Sequence, residues 1–350
     1  MLGPALSGRT IGAEPLDAAA RRTIAALVGP SRTIADVRLP RLSPRAYQRI
    51  AVFALLALCF IIVTGAAVRL TGSGLGCSDW PTCEQDQFVA PLEYHAMVEF
   101  VNRTITGLVS IAVALAVLGA LVRVPKRRDL VWWSSGLVAG VVGQIVLGGL
   151  TVIFELRPPF VIGHFLLSMV LVWNAVVLLD RAGHDGSKGL PLVPVRTRVL
   201  GRVLVVASAV TVSAGTVVTG TGPHGGDEEV PRLSFDIGEV VRLHSISAWV
   251  FLALAVWTLV ELRRSGTPVQ VDRRAKVLVG AIVVQGGIGY LQYFTGVPPW
   301  LVLLHVAGSV AVWIAALRFD LGLVAHPVEV PARHTGGDAP TAAHRPATLS

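Results

Sequence analysis

Three histidines stand where a histidine is costly. His164, His244 and His305 fall in the outer turns of long apolar runs, whereas His184, His326, His334 and His344 lie in polar loops or the tail. An ionisable group inside an apolar span is expensive and by default carries a function. His244 and His305 stand on two separate runs at similar depth. Two imidazoles facing each other across a helical bundle suit axial ligation of a haem iron from both sides, and a six-coordinate iron suits electron transfer. Zinc fits less well, because no Cys, Asp or Glu clusters with the pair to complete four ligands. Two helix-packing histidines bonded across an interface are the competing reading.

His164 has a different opposite number. The position that pairs with it is Asn102, and Glu99 lies three residues earlier on the same helical face. One imidazole, a weak or absent second ligand and a nearby carboxyl describe a site where something reacts, with Glu99 placed for acid–base work. An interfacial Glu99 that snorkels outward or pairs with Arg103 is the alternative. Cys77 and Cys83 flank five residues in "GSGLGCSDWPTCEQD". In an oxidising compartment they can form a bridge or a thiol pair for redox exchange. Cys59, inside an apolar run, reads as packing. "TGSGLG" lacks the Lys-Ser/Thr of a phosphate loop and lets the segment fold tightly over the bundle mouth. His95 and His224 either rim a pocket or are solvated.

The elements that must position these residues are membrane helices. Of 350 residues, 53% are hydrophobic and only 15% charged, below the share of an ordinary soluble domain. Apolar stretches occur at about 48–69, 98–122, 130–153, 159–180, 199–220, 239–262, 274–295 and 299–323, each long enough to cross a bilayer as a helix. The net charge of +8 reads as membrane asymmetry and not as nucleic-acid binding. Of 30 Lys and Arg, 25 fall in the two termini and the loops at one end. Arg69, Arg103, Arg157, Arg232 and Arg242 fall at the other. Both termini are therefore expected in the cytoplasm and the chemical residues near the outer face. Arg69, Arg232 and Arg242 are candidates for carboxylate-bearing ligands.

The chain also repeats. "PPFVIGHFLLSMVLVW" from Pro158 echoes "PPWLVLLHVAGSVAVW" from Pro298, and "VVGQIVLGGLTV" around Gln144 echoes "IVVQGGIGYLQYFTG" around Gln285. "IIVTGAAVRLTGSG" from Ile61 echoes "TVVTGTGPHGG". His164 matches His305, and His244 matches Asn102. The expectation is an all-α membrane protein of eight helices in two pseudo-symmetric four-helix bundles. Its parts are a basic arm without fixed structure over 1–47, a first bundle over 48–180, a linker over 181–198, a second bundle over 199–323 and a disordered tail over 324–350.

"RLTGSGLGCSDWPTC" (Arg69–Cys83), "EFVNR" (Glu99–Arg103), "QIVLGGLTV" (Gln144–Val152), "HFLLS" (His164–Ser168), "TGTGPHGGD" (Thr219–Asp227) and His244 with His305 together resemble the haem A synthases of bacterial membranes. The resemblance runs from about residue 50 to 323. It implies oxidation of the C8 methyl of haem O to a formyl group by two successive hydroxylations, with water as oxygen source, to make haem A for cytochrome oxidase. It further implies a haem B cofactor held by His244 and His305 in the second bundle and the substrate haem O on His164 in the first. Glu99 is implied in catalysis, and Cys77 with Cys83 as a disulfide-capable outer loop. Haem O would arrive from a haem O synthase, the electrons leave to a separate acceptor, and the bundles can assemble as a homo-oligomer in lipid. Two departures stand out: Asn102 where many members carry histidine, and no second cysteine pair in "TGPHGGDEEVPRLS". A haem B electron-transfer cytochrome without chemistry of its own is the rival reading. A repeat-built transporter is disfavoured, since broken helices and midplane charges are lacking.

Overall fold

The first span begins where serine and proline can start a helix. Ser43 Oγ accepts from the Ala46 N–H at 3.3 Å, and Pro44 takes the first helical position, where its missing N–H costs nothing. The helix then runs as α1, Pro44–Leu70. It is followed by α2 (Tyr94–Val122), α3 (Arg128–Ile153), α4 (Pro158–Ala182), α5 (Val195–Thr221), α6 (Ile237–Arg264), α7 (Val269–Phe294) and α8 (Pro299–Leu321). The computed structural model describes residues 41–83, 89–227 and 229–327. Most of the expected arm and tail, with His334 and His344, lies outside them. All eight helices are long and apolar enough to cross a membrane. Bulky apolar side chains such as Phe53, Leu56, Trp132, Trp257 and Trp300 are exposed, as lipid-facing surfaces require.

Helices begin up to five residues before the apolar stretches. Hydropathy marks the hydrocarbon window, while the backbone ladder continues through a charged turn: α7 starts at Val269 and carries Asp272 in its first turn, and α6 is capped by Asp236, whose Oδ1 accepts from the Glu239 N–H at 2.9 Å. Before α1, Leu42 bridges Arg123. The segment joining the halves pairs with the segment just after α8, Leu190–Pro191 (β1) antiparallel to Val324–Ala325 (β2).

Within each half the helices pack in a ring, α1–α2–α3–α4 and α5–α6–α7–α8, and the rings meet through α1, α4, α5 and α8. Trp313 Nε1 donates to the Met169 carbonyl at 3.0 Å, tying α8 to α4. The buried positions of the two halves fall in register. On α2 and α6, Val109, Val113, Ala116 and Ala120 match Phe251, Ala255, Thr258 and Leu262. On α3 and α7, Leu130, Ser134 and Leu137 match Val271, Ala275 and Leu278. On α4 and α8, Met169, Val172, Ala175 and Val176 match Val310, Trp313, Ala316 and Leu317. Even the turns agree: the N–H groups of Leu156 and Val297, both at positive φ, donate five residues back to Thr151 and Gln292 at 2.7 and 2.8 Å.

One sequence echo is corrected. Buried Tyr47, Ala51, Ala54 and Leu58 of α1 match Thr197, Gly201, Leu204 and Ser208 of α5, and this register also aligns the helix starts, Pro44 with Val195, and ends, Leu70 with Thr221, to within one residue. In that register Gly65 corresponds to Gly215, and Thr71-Gly72 to Thr221-Gly222. The Val-Thr-Gly tripeptides at 63–65 and 218–220 are not equivalent. Three shared residues say little about helix phase, which is set by the face each helix buries.

Candidate haem site

The ring packing brings His244 on α6 and His305 on α8 together, with centroids 6.2 Å apart and planes at 77°. Two metal–nitrogen bonds of about 2 Å on opposite sides of one metal leave imidazole centres about this far apart. His244 Nδ1 meets the Thr211 carbonyl at 3.1 Å, which fixes the ring and leaves Nε2 for a ligand. His305 Nδ1 is buried without a partner among the described residues. Each ring lies against a glycine of the adjoining helix. A Cβ on Gly215 would stand 3.1 Å from His244 Cε1, and one on Gly289 3.0 Å from His305 Cε1. The donors, their spacing and their cradles fit a haem iron held from both faces.

The first half repeats half of this arrangement. A Cβ on Gly148 would come 3.5 Å from His164 Nε2, and Gly148 matches Gly289. Gln144 Nε2 donates to the His164 carbonyl at 3.1 Å and to Ser168 Oγ at 2.7 Å, while Gln285 Nε2 donates to the His305 carbonyl at 2.8 Å. Neither glutamine stood out as more than a repeat marker in the sequence, although Gln-x-x-x-Gly recurs at 144–148 and 285–289. Asn102 occupies the position of His244, and its Oδ1 is buried without a partner among the described residues. It also lines a cleft of about 480 Å³ between α1 and α2, with Thr64, Val68, Val98 and Ile105.

Glu99 is buried; it does not reach outward, but it pairs with Arg103 as the alternative reading had it. Arg103 Nη2 and Nε donate to Glu99 Oε1 at 2.6 and 3.1 Å, and the Cys77 N–H donates to Oε2 at 2.8 Å. Arg103 Nη1 reaches on to the carbonyls of Asp79 and Thr82 at 3.0 and 2.8 Å. Cys77 and Cys83 form a disulfide, and both are buried. The Cys-loop therefore sits on the mouth of the first bundle, clamped by the Glu99–Arg103 pair. Gly76 passes so close to the His95 carbonyl that no Cβ fits, and the Trp80 ring lies against Gly149 of α3. Cys59 is reduced and partly buried.

The remaining histidines within the described residues are all engaged, and His95 stands in the first turn of α2 rather than in the loop before it. His95 Nδ1 pairs with Ser73 Oγ at 2.9 Å, and His224 Nε2 with the Val297 carbonyl at 2.8 Å. His184 and His326, which the sequence places in a polar loop and the tail, stack with centroids 4.1 Å apart, because the β1–β2 pairing brings the ends of both halves together. Burial of His184, and then the adjacent His326, lower its pKa. At the mouth the two halves join through the Gly74 N–H and the Gly226 carbonyl at 3.0 Å. Arg69 packs on Gly226 and the Arg232 guanidinium on Gly225, so two of the three arginines singled out in the sequence converge at this seam.

A model of the cytochrome oxidase assembly protein family matches residues 48–97 and 89–224. The heme A synthase of Methylobacterium sp. (strain 4-46) is 28% identical, covering 85% of this chain and 97% of its own. That of Caulobacter sp. (strain K31) is 25% identical over 74% of this chain and 90% of its own. A protoheme IX farnesyltransferase of Thermus thermophilus is 26% identical over 77% of this chain but 47% of its own length, so the chain spans about half of that relative. With matched segments that together cover half the chain, and relatives that align through both bundles, this protein belongs to the cytochrome oxidase assembly protein family, the family of the haem A synthases.

Proposed function

We propose that the chain is a haem A synthase that oxidises the C8 methyl of haem O by two hydroxylations, with water as the oxygen source, to a geminal diol that loses water to give the formyl group. The four protons are released and the four electrons leave through the resident haem to a separate acceptor. The observation that carries this reading is the asymmetry between registered halves: His244 and His305 face each other at 6.2 Å, while His164 has Asn102 in the matching place. The closed pair suits a resident haem B, which supplies one-electron transfer when bound. His244 and His305 are its ligands, oriented by the Thr211 carbonyl and by Gln285. His164 anchors the substrate haem, and Asn102 leaves its other face uncovered. Glu99, one turn before Asn102, holds or moves the proton at the mouth, with Arg103 and the Cys77 N–H fixing both carboxylate oxygens. The Cys77–Cys83 loop shields that end from water. Arg69 and Arg232 receive propionates at the seam between the halves. The basic end faces the cytoplasm of a bacterial cell, and haem O arrives from a haem O synthase.

Co-expression with a haem O source, followed by haem extraction and mass analysis, tests this reading. A formylated haem supports it. Haem B alone would replace it with an electron-transfer cytochrome, and no haem at all would exclude both.

A further inference from the structure

His244 is seated by two features of α5: Gly215, which leaves room for the ring, and the Thr211 carbonyl one turn earlier, which meets Nδ1 at 3.1 Å. In the register set by the buried faces of α1 and α5, these correspond to Gly65 and the Ile61 carbonyl. Both are retained in the first half. A Cβ on Gly65 would meet nothing within 4 Å, and the Ile61 carbonyl takes, beyond its own helix ladder, the Thr64 hydroxyl at 3.2 Å. The side chain that would use this seat is Asn102, shorter than histidine by part of a ring. Its Oδ1 is buried and unpartnered among the described residues, an acceptor facing no donor. Thr64, Val68 and Asn102 all border the cleft of about 480 Å³ between α1 and α2, and Gly65 follows Thr64 in the chain.

We propose that Gly65, the Ile61 carbonyl and Asn102 form a binding position for a small neutral ligand on the face of the first-half iron opposite His164. The position is an imidazole seat for which the chain itself supplies no imidazole. Its ligands are molecules no larger than that ring, with a lone pair for the metal and a hydrogen for the Asn102 or Ile61 oxygen: water, or a nitrogen heterocycle. This inference rests on the haem reading above. It explains the histidine-to-asparagine departure as a change confined to one side chain, with the surrounding helix still shaped for the ring.

The test uses full-length protein loaded with both haems and read by electron paramagnetic resonance and optical spectra, with imidazole itself as the probe. Wild type should show one low-spin iron from the His244–His305 site and one high-spin iron, and added imidazole should convert only the second to low spin. Gly65→Leu should keep the high-spin signal but weaken imidazole binding by about tenfold or more, since its side chain fills the seat. Asn102→His should give two low-spin irons with no imidazole added, because Gly65 still accommodates the ring. An imidazole response undiminished in Gly65→Leu, or an Asn102→His protein that stays high spin, overturns the inference while leaving the haem reading intact. A wild-type protein that takes up haem only at the second-half site removes the reading and this inference with it.

Discussion

Gln285 donates its side-chain amide to the backbone carbonyl of His305 at 2.8 Å, and Gln144 does the same for His164 at 3.1 Å. A helical carbonyl already has a partner in its own ladder, so neither bond rescues an orphan acceptor. Each instead ties one helix to the next at the level of the histidine. The Oε1 atoms of both glutamines are buried without partners among the described residues, which is costly in a low-dielectric interior. A tether that served packing alone could sit at any level, yet both copies choose the histidine.

Gln285→Leu separates orientation from packing. The change removes a bond of about 1 kcal/mol and an unpartnered oxygen together, so the thermal midpoint should move little. The low-spin signal of the second-half haem should broaden or shift as His305 gains freedom. An unaltered signal would reduce Gln285 to a packing residue.

Removing a ligand should be selective between halves. His305→Ala should abolish the bis-imidazole spectrum of the second half, and His164→Ala should leave that spectrum in place while substrate haem fails to bind. Loss of the same spectral component in both variants would contradict two separate sites.

Glu99→Gln keeps the side chain's shape but weakens its hold on Arg103. Haem A formation should drop by about a hundredfold or more if the carboxylate handles a proton, with the second-half spectrum unchanged. Arg103→Lys, which keeps the charge but not the planar fork, should loosen the Cys-loop and retain more activity. Equal losses in both variants would point to loop anchoring as the whole role of the pair.

Breaking the Cys77–Cys83 bridge by Cys77→Ser with Cys83→Ser should destabilise the loop by about 2 kcal/mol, given the short segment it closes. The Cys77 N–H is bonded to Glu99, so its hydrogen exchange should accelerate sharply in that variant. Unchanged protection would show that Arg103 alone holds the loop.

The stacked pair at the basic end predicts an acid-sensitive clasp. His184 has its pKa lowered by burial and by His326, with Arg127 and Arg181 acting the same way and Asp180 opposing. A base whose folded pKa lies below its unfolded value favours the folded state fully above about pH 6.5. That contribution declines as pH falls from there toward the folded value. Thermal stability in detergent should therefore drop on mild acidification, and His184→Gln should flatten the profile. An identical profile in the variant would rule out this histidine as the cause.

Eight spans, their charge asymmetry and the pairing of His164 with His305 and of His244 with Asn102 were legible in the sequence. Hydropathy accumulates locally along each helix, and two similarly packed halves carry matching strings. Tertiary structure decided what depends on helix phase and on contacts between distant segments. The clamp of Glu99 and Arg103 on the Cys-loop, the stacking of His184 on His326 and the equivalence of Gly65 with Gly215 are of this kind. Each is set by which face a helix buries and by how two turns meet across the bundle. A string of residue types records neither until the chain is packed.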